Sequence, residues 1–252
     1  MIIVENIQIE FDSNLVLNDV SFTFEPGKTN LIIGESGSGK TTLLKILIGL
    51  YELDSGTIKY NDRVFNEMKL KQKRQLRQEI GMLFQGGALF DYMTVEENIT
   101  FPLTMFTNQS EEEKQERVNF CLNRVNLVNV IKLYPSEISG GMQKRVAIAR
   151  AISMNPKYLL CDEPNSGLDP KTAIVIDNLI QEITQEFDIT TIINTHDMNS
   201  VMEIGDKIVF IYKGEKWWEG TQKEILDTDN HELNEFVYAS KHLQQFKKKG
   251  SV

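Results

Sequence analysis

The residues best suited to chemistry form one glycine-rich loop, Gly34-Glu35-Ser36-Gly37-Ser38-Gly39-Lys40-Thr41, which is followed by Thr42. An apolar run precedes this loop and a helical pattern follows it, and that order predicts a phosphate cradle. Backbone N–H groups of the glycines can turn inward around a polyphosphate, while the start of the helix adds partial positive charge. We expect Lys40 to reach the β- and γ-phosphates and the Thr41 hydroxyl to bind a phosphate-held Mg²⁺. The alternative is an ordinary glycine-rich turn.

A second candidate is the apolar run Tyr158–Cys161, which ends in the adjacent carboxylates Asp162 and Glu163. One carboxylate could hold the Mg²⁺ shell while the other points the opposite way and orients water. Many strands end in charged residues at the surface, so this signal is weak by itself. Its weight comes from the upstream loop, because sites in such sheets gather at the carboxyl ends of the strands.

A third candidate is Ser139-Gly140-Gly141-Met142, which opens a segment with apolar residues at helical spacing. A serine and two glycines before a helix make a second anion-binding end. Two half-sites for one triphosphate predict a homodimer, in which the glycine-rich loop of one copy and Ser139 of the other close on the same nucleotide. The alternative is a helix cap with no ligand.

Composition places the chain among ordinary globular proteins, with 252 residues of which 41% are hydrophobic and 25% charged. The length suits one large domain or a core with a grafted subdomain. A net charge of -9 argues against binding nucleic acid by general phosphate attraction. Cys121 and Cys161 lie far apart among apolar residues, which favours neither a disulfide framework nor a zinc site and suits a reducing cytoplasm. We find no apolar stretch long enough to cross a bilayer and no signal-peptide pattern at the start.

Apolar runs separated by turn residues predict the strands of an α/β fold. The predicted strands are Ile2–Ile9, Val20–Phe24, Thr29–Ile33, Gly81–Phe84, Tyr158–Cys161, Ile189–Ile193 and Lys207–Tyr212, with turns at Asn18-Asp19 and Pro26-Gly27. Helical patterns between the later strands indicate a largely parallel sheet covered by helices. Ser110 and Glu113 form a capping box that begins one helix, and Asp169-Pro170 begins another. Residues 86–156 are mostly helical and are predicted to form a subdomain inserted into the core.

With these motifs in this order, the chain resembles the ATPase subunits of ATP-binding-cassette (ABC) transporters over nearly its whole length. The resemblance makes residues 34–42 the Walker A loop, Ser139–Met142 the signature loop, and Asp162 with Glu163 the Walker B carboxylates. It implies that the chain binds ATP and Mg²⁺, with Asp162 and Thr41 as metal ligands and Glu163 as the residue that polarises water.

The same resemblance assigns four further residues. Phe11 stands where an aromatic ring stacks on adenine, although tyrosine is commoner there. Gln85 occupies the glutamine loop, where it senses the γ-phosphate and serves as a further Mg²⁺ ligand, and His196 is the switch histidine. Asp169 ends the loop that contacts the other copy of the dimer. Met142 departs from the usual glutamine, which removes an amide near the nucleotide.

The fold implied by the resemblance has four parts. They are a P-loop core with a mostly parallel sheet at 1–85 and 157–228, an antiparallel β subdomain near the N-terminus, the helical subdomain at 86–156, and a helical tail at 229–252. In one subgroup of these ATPases the tail can reach across to the other protomer. The stretch Leu233–Leu243 is therefore a candidate for such an intersubunit contact.

That subgroup is suggested by Gly81–Asp91, in which Gly86-Gly87 follow Gln85. Together with the Ser-Gly-Gly-Met signature, this stretch looks like the ATPase of the maintenance-of-lipid-asymmetry and mammalian-cell-entry (MCE) type of bacterial lipid transporter. The likeness implies integral-membrane permease subunits that dock after the glutamine loop and an MCE-type lipid-binding subunit. It also implies a peripheral position on the cytoplasmic face of the inner membrane.

We therefore expect a homodimeric, ATP-hydrolysing motor that energises phospholipid transport across the bacterial envelope. Alternative tasks for such a motor are amino-acid import and lipoprotein release. Cassette ATPases of DNA repair or chromosome organisation would need a long coiled-coil insertion, and ribosome-associated ones typically carry two cassettes. A nucleotide-binding regulator without turnover is a further alternative, against which Glu163 argues.

Overall fold

The computed structural model describes residues 1–238. The strands are β1 (Ile2–Phe11), β2 (Asn14–Phe24), β3 (Thr29–Ile33), β4 (Ser55–Tyr60), β5 (Arg63–Val64), β6 (Ile80–Leu83), β7 (Tyr158–Asp162), β8 (Thr190–Asn194), β9 (Lys207–Tyr212) and β10 (Glu215–Gly220). The α-helices are α1 (Lys40–Leu47), α2 (Leu70–Gln78), α3 (Val95–Phe106), α4 (Glu111–Arg124), α5 (Gly140–Ile152), α6 (Pro170–Glu186), α7 (Met198–Ile204) and α8 (His231–Val237). Short 3₁₀ turns occupy Pro135–Glu137 and Glu224–Leu226.

The described chain divides into two compact units. The first contains residues 1–24, 30–66 and those from 194 onward, and the second contains residues 25–29 and 67–193. The division falls inside β3 and β8. The helical segment at 86–156 lies within the second unit, and its bounds as a subdomain stay a prediction.

An antiparallel sheet with the strand order β2-β1-β4-β5 belongs to the first unit. Every neighbouring pair in it runs antiparallel. Ile2, Val4, Ile7 and Ile9 of β1 are all buried, so one face of the strand lies in the core. The predicted antiparallel N-terminal subdomain is therefore confirmed.

The predicted turn at Asn18-Asp19 is wrong, because both residues lie within β2. The pairing of β1 with β2 shifts register in this region, and Asn6 and Asp19 both have a φ of 49°. A β-bulge tolerates such residues inside a strand, and asparagine and aspartate accept positive φ more readily than most. The hairpin turns instead at Asp12-Ser13, with φ values of 48° and 63°.

Parallel strands form in both units. In the first unit β9 lies between β10 and β3, antiparallel to the former and parallel to the latter. In the second unit the order is β8-β7-β6, with β6 parallel to β7. Every residue of β3 and β8 is buried, as is typical of strands covered on both faces. The predicted α/β class with parallel pairing is thus confirmed.

The helices of the second unit pack together around α5, which contacts α3, α4 and α6. The predicted helix starts are confirmed: Ser110 caps α4 in a capping box with Glu113, and Asp169 caps α6 with Pro170 at its first position. The predicted strands Thr29–Ile33 and Lys207–Tyr212 have the observed bounds.

The C-terminal helix α8 covers the first part of the predicted tail, with Leu233 and Val237 buried. The remainder of that prediction, including Leu243, lies outside the described residues. Among residues 1–238, no helix has both the length and the apolar character that a bilayer crossing requires.

Candidate functional site

The glycine-rich loop joins β3 to α1 in the first unit and is shaped by its glycines. Gly34, Gly37 and Gly39 have φ values of 151°, 83° and 102°, which side-chain-bearing residues rarely adopt. Gly39 is the N-cap of α1 and has no side chain to offer the first helical N–H groups. No side chain caps the helix start, and its partial positive charge favours an anion there.

Lys40 and Ser38 present polar groups to the same loop. Lys40 is only 6% exposed, and its Nζ donates to the Gly34 and Glu35 carbonyl oxygens at 2.8 Å each. The Ser38 hydroxyl is buried and has no hydrogen-bond partner among residues 1–238. A buried cation and an unsatisfied hydroxyl in one glycine-rich loop fit the oxygens of a polyphosphate.

Gly34 is the loop position least able to accept a side chain. A Cβ there would lie 2.2 Å from the Ile211 carbonyl oxygen, whereas a Cβ on Gly37 would meet no atom within 4 Å. We expect Gly34→Ala to lower the free energy of unfolding by about 3 kcal/mol or more, because strain and a backbone clash combine. Gly37→Ala is the control and should cost roughly 1–2 kcal/mol, from strain alone. Urea unfolding measures both, and equal losses would contradict the clash.

The end of β8 and the residues that follow it are bonded to the glycine-rich loop and to the strand before it. Asn194 Nδ2 donates to Thr41 Oγ1 at 3.2 Å, and the Thr195 N–H donates to the Ile32 carbonyl at 3.0 Å, two residues before the loop. His196 follows directly and is exposed, just before Asp197, the N-cap of α7. Within the first unit, the predicted switch histidine therefore lies on a segment tied to the phosphate loop.

Phe11 stands at the end of β1 with 38% of its surface exposed. Its ring meets the Tyr51 ring edge-on, with centroids 5.0 Å apart. Tyr51 in turn lies 5.6 Å from the Lys45 ammonium. The exposed face of Phe11 is thus supported from one side, which suits a flat partner on the other.

In the second unit, Glu163 and Gln85 come together. Glu163 follows β7 with a φ of 47°, a strained conformation of the kind that persists at functional sites. Gln85 Nε2 donates to Glu163 Oε2 at 3.2 Å and to Ser166 Oγ at 3.3 Å. A carboxylate held by an amide could polarise a water molecule.

Asp169 is used within its own chain as a helix cap. Its Oδ1 accepts hydrogen bonds from the N–H groups of Lys171 and Thr172, both at 3.1 Å. The Thr172 hydroxyl also donates to Asp169, and this contact is the main cause that lowers the pKa of Asp169. Contact of this loop with a second copy remains a prediction.

The signature loop begins α5. Ser139 is exposed and caps the helix, its Oγ accepting from the Met142 N–H at 3.3 Å. A Cβ on Gly140 would meet nothing, but one on Gly141 would lie 2.7 Å from Thr172 Cγ2. Gly141 therefore lets the start of α5 approach the start of α6, where Asp169 lies.

Three residues of α5 that the sequence did not single out bind backbone carbonyls of the second unit. These carbonyls lie just ahead of the signature loop and in the glutamine loop. Gln143 Nε2 donates to the Pro135 carbonyl at 2.8 Å, just ahead of the signature loop. Lys144 donates to the Gln85 carbonyl, and burial lowers the pKa of Lys144. Arg150 binds the carbonyls of Gly87 and Ala88. The sequence carries one signal for Lys144. It lies four residues before Ile148, and both residues are on the buried face of the helix.

The donors suited to a metal are hard oxygens. Within residues 1–238, no cluster of three or more His, Cys, Asp or Glu side chains is arranged to bind a metal. The Thr41 hydroxyl, the Asp162 carboxylate and the Gln85 amide oxygen are the donor types that Mg²⁺ accepts beside phosphate oxygens and water. Each of the two units thus carries hard oxygen donors of the type that suits Mg²⁺.

A family model described as ABC transporter matches residues 17–166. The methionine import ATP-binding protein MetN of Campylobacter jejuni is 38% identical over 97% of this chain and 78% of its own length. The sulfate/thiosulfate import ATP-binding protein CysA 2 of Shewanella oneidensis is 36% identical over 93% of this chain. The chain spans only 65% of the length of that second relative.

Solved structures of ATP-binding cassettes are also similar to this chain. An ATP-binding cassette solved as a dimer in a post-hydrolysis state, bound to ADP and Pi, has a TM-score of 0.79 and 30% identity, covering 88% of this chain and 99% of its own. CbiO1 of Clostridium perfringens, part of the ABC transporter complex CbiONQ, has a TM-score of 0.84 and 28% identity, covering 97% of this chain and 98% of its own.

Proposed function

Since the chain belongs to the ABC transporter family and is an ATPase of that family, we propose that it drives a membrane transporter as a homodimer. Two ATP molecules lie at the interface between the copies in this proposal. A cassette similar to this chain was solved as a dimer with ADP and Pi, which supports it.

The proposed chemistry assigns roles to both units. The loop at 34–42 binds the phosphates through its N–H groups and Lys40, and Phe11 stacks on adenine. Glu163 polarises the attacking water while Gln85 and His196 sense the γ-phosphate. Mg²⁺, when bound, neutralises phosphate charge, and Thr41, Gln85 and Asp162 are the residues that would hold it.

Closure of the site requires the second copy. Residues Ser139–Met142 of the partner supply N–H groups and the start of a helix to the bound nucleotide, and Asp169 lies in the contact between the copies. Hydrolysis removes the γ-phosphate that both copies contact, so the dimer loosens. Because ATP favours the closed dimer, its binding and loss can move permease helices.

The single observation that most supports turnover, and not mere nucleotide binding, is the contact between Gln85 Nε2 and Glu163 Oε2 at 3.2 Å. A regulator without turnover has no need of a carboxylate held on a strained backbone directly after β7. The Glu163→Gln variant tests this assignment, because glutamine cannot take a proton from water and its ATP turnover should fall while ATP stays bound.

The phospholipid cargo expected from the sequence lacks support among the relatives, whose names describe methionine and sulfate import. These names favour the alternative of amino-acid import. We therefore propose a small polar solute as the cargo, with methionine as the first to test. The permease subunits and the peripheral position on the inner membrane belong to the same proposal.

Phospholipid remains a second candidate because of one segment. Gly86-Gly87 follow Gln85, as in the lipid-transporter subgroup. Gly87 has a φ of 75°, a conformation that glycine adopts more readily than other residues. A Cβ on Gly86 would meet nothing within 4 Å, so this part of the loop is open. An MCE-type partner would accompany this second reading only.

Purification of the native complex distinguishes the two cargos. The complex is isolated through a tag on this chain, its bound small molecules are identified by mass spectrometry, and its ATP turnover is measured with methionine or with phospholipid vesicles. We expect methionine to raise turnover and phospholipid to have no effect. Bound phospholipid together with an MCE-type subunit would reverse the assignment and leave the motor intact.

A further inference from the structure

Helix α5 is connected to the glutamine loop by two buried or half-buried cations. Lys144 is 7% exposed, and its ammonium donates to the Gln85 carbonyl. Arg150, nearly two turns further along, donates to the Gly87 carbonyl at 2.7 Å and to the Ala88 carbonyl at 2.8 Å. Three of the four carbonyls of residues 85–88 therefore bind one helix, the same helix that Ser139 begins.

The shape of this loop creates the need for those donors. Gly87 and Ala88 have φ values of 75° and 50°, so the chain turns sharply and directs its carbonyls toward α5. The bonds to the Gln85 and Gly87 carbonyls are half-buried, and a charged donor satisfies such a carbonyl more strongly than a neutral one. Burying the Lys144 ammonium is itself unfavourable, which makes a lysine an unusual choice for a purely structural contact.

The position of Lys144 relates it to the reacting groups. The Gln85 carbonyl that it binds belongs to the residue whose side chain donates to Glu163 Oε2 at 3.2 Å and to Ser166 Oγ at 3.3 Å. Burial lowers the pKa of Lys144, and the nearby Glu163 carboxylate opposes that shift. Lys144 thus holds the backbone of Gln85, while the side-chain amide of Gln85 contacts the Glu163 carboxylate.

We propose that Lys144 is a positioning residue for ATP hydrolysis, which fixes the Gln85 backbone to α5 so that the Gln85 amide is aimed at Glu163. This inference rests on the proposed function of Glu163 and Gln85. It has a mechanical consequence: a shift of the signature helix is transmitted to Gln85 through Lys144, so engagement of Ser139 and alignment of Gln85 change together.

Two variants of Lys144 and one control test the proposal. Lys144→Met keeps the length and apolar stem but removes the donor, and Lys144→Arg restores a cation. Lys157→Met makes the same change just before β7, at the end opposite Glu163, where the lysine is 65% exposed and pairs with Glu79. We expect Lys144→Met to lower kcat on the order of 10- to 100-fold with KM for ATP unchanged, because misplacement impairs the reaction step. Lys144→Arg should recover most of the rate, and Lys157→Met should match the wild type.

A double variant separates positioning from a general structural role. If Lys144 acts through Gln85, the Gln85→Ala/Lys144→Met variant should turn over ATP at the rate of Gln85→Ala alone. Multiplied losses in the double variant, or a raised KM with unchanged kcat in Lys144→Met, would overturn the proposal.

Amide hydrogen exchange tests the clamp without relying on turnover. We expect faster exchange at residues 86–88 in Lys144→Met than in the wild type or in Lys144→Arg, with no change in the Lys157→Met control. Unchanged exchange would overturn the inference even if the protein hydrolyses ATP. A wild-type chain that shows no ATP turnover would instead refute the proposed function, and exchange would still decide whether the clamp exists.

Discussion

Replacing Glu163 with glutamine is expected to lower the ATP turnover number by about 10²- to 10⁴-fold while ATP remains bound. Glutamine has nearly the shape of glutamate, and its side-chain oxygen can still accept from Gln85 Nε2, which lies 3.2 Å from Glu163 Oε2. It cannot take a proton from water. Steady-state phosphate release measures the loss, and retention of labelled ATP on the purified variant measures the trapped state.

Glu186→Gln is the matched control for this experiment. Glu186 ends α6 in the same unit, and its carboxylate accepts from Arg124 Nε at 2.6 Å. It is exposed, so its ion pair contributes little and its loss should leave turnover unchanged. Wild-type turnover in the Glu163→Gln variant would show that another group activates the water.

Replacing Lys40 with methionine is expected to weaken ATP binding on the order of 100-fold, since a charge-assisted contact to the phosphates is removed. Turnover should fall below detection, because the same cation stabilises charge on the phosphates during transfer. In the protein as described, Lys40 Nζ binds the Gly34 and Glu35 carbonyls at 2.8 Å each. Titration with a fluorescent ATP analogue measures the affinity.

The control for Lys40 is Lys59→Met, which makes the same substitution in the same unit. Lys59 Nζ pairs with the Glu5 carboxylate at 2.8 Å on the antiparallel sheet, where both side chains are partly exposed. We expect wild-type affinity and turnover from this variant. Wild-type ATP affinity in Lys40→Met would contradict the assignment of residues 34–42 as the phosphate loop.

The strands and helices that could be predicted from the sequence are those with strong local signals. β3 and β9 each contain an unbroken apolar run, Leu31–Ile33 and Ile208–Tyr212, and Ser110 with Glu113 is a cap that depends on residues three apart. By contrast, β4 and β10 are half-exposed and carry few apolar residues, so their pairing with neighbours defines them more than their own pattern.

The candidate site was predictable to the extent that its motifs are contiguous. The loop at 34–42 and the carboxylates after β7 are local patterns with a mechanism. The contacts of Lys144 and Arg150 are different, because which carbonyl a helical cation meets depends on how α5 packs in the folded unit. The bulge that carries Asp19 escaped prediction for a similar reason, since it reflects the register of two strands and not the preference of one residue.

The cargo was the part of the sequence interpretation with the weakest physical basis. The phospholipid prediction rested on Gly86-Gly87 and the residues beside them. In the structure this loop is bonded to α5 through Arg150, which donates to the Gly87 and Ala88 carbonyls. Those contacts explain the shape of the loop but not what the transporter carries. The relatives that name a cargo therefore outweigh it.

The proposed mechanism requires ATP to lie between two copies of this chain. Native mass spectrometry of the Glu163→Gln variant with Mg²⁺ and ATP tests this directly, because it weighs the complex and counts its nucleotides. We expect two chains with two ATP molecules, and a return to single chains when ATP is removed. One chain holding one ATP, at every protein concentration tried, would contradict it.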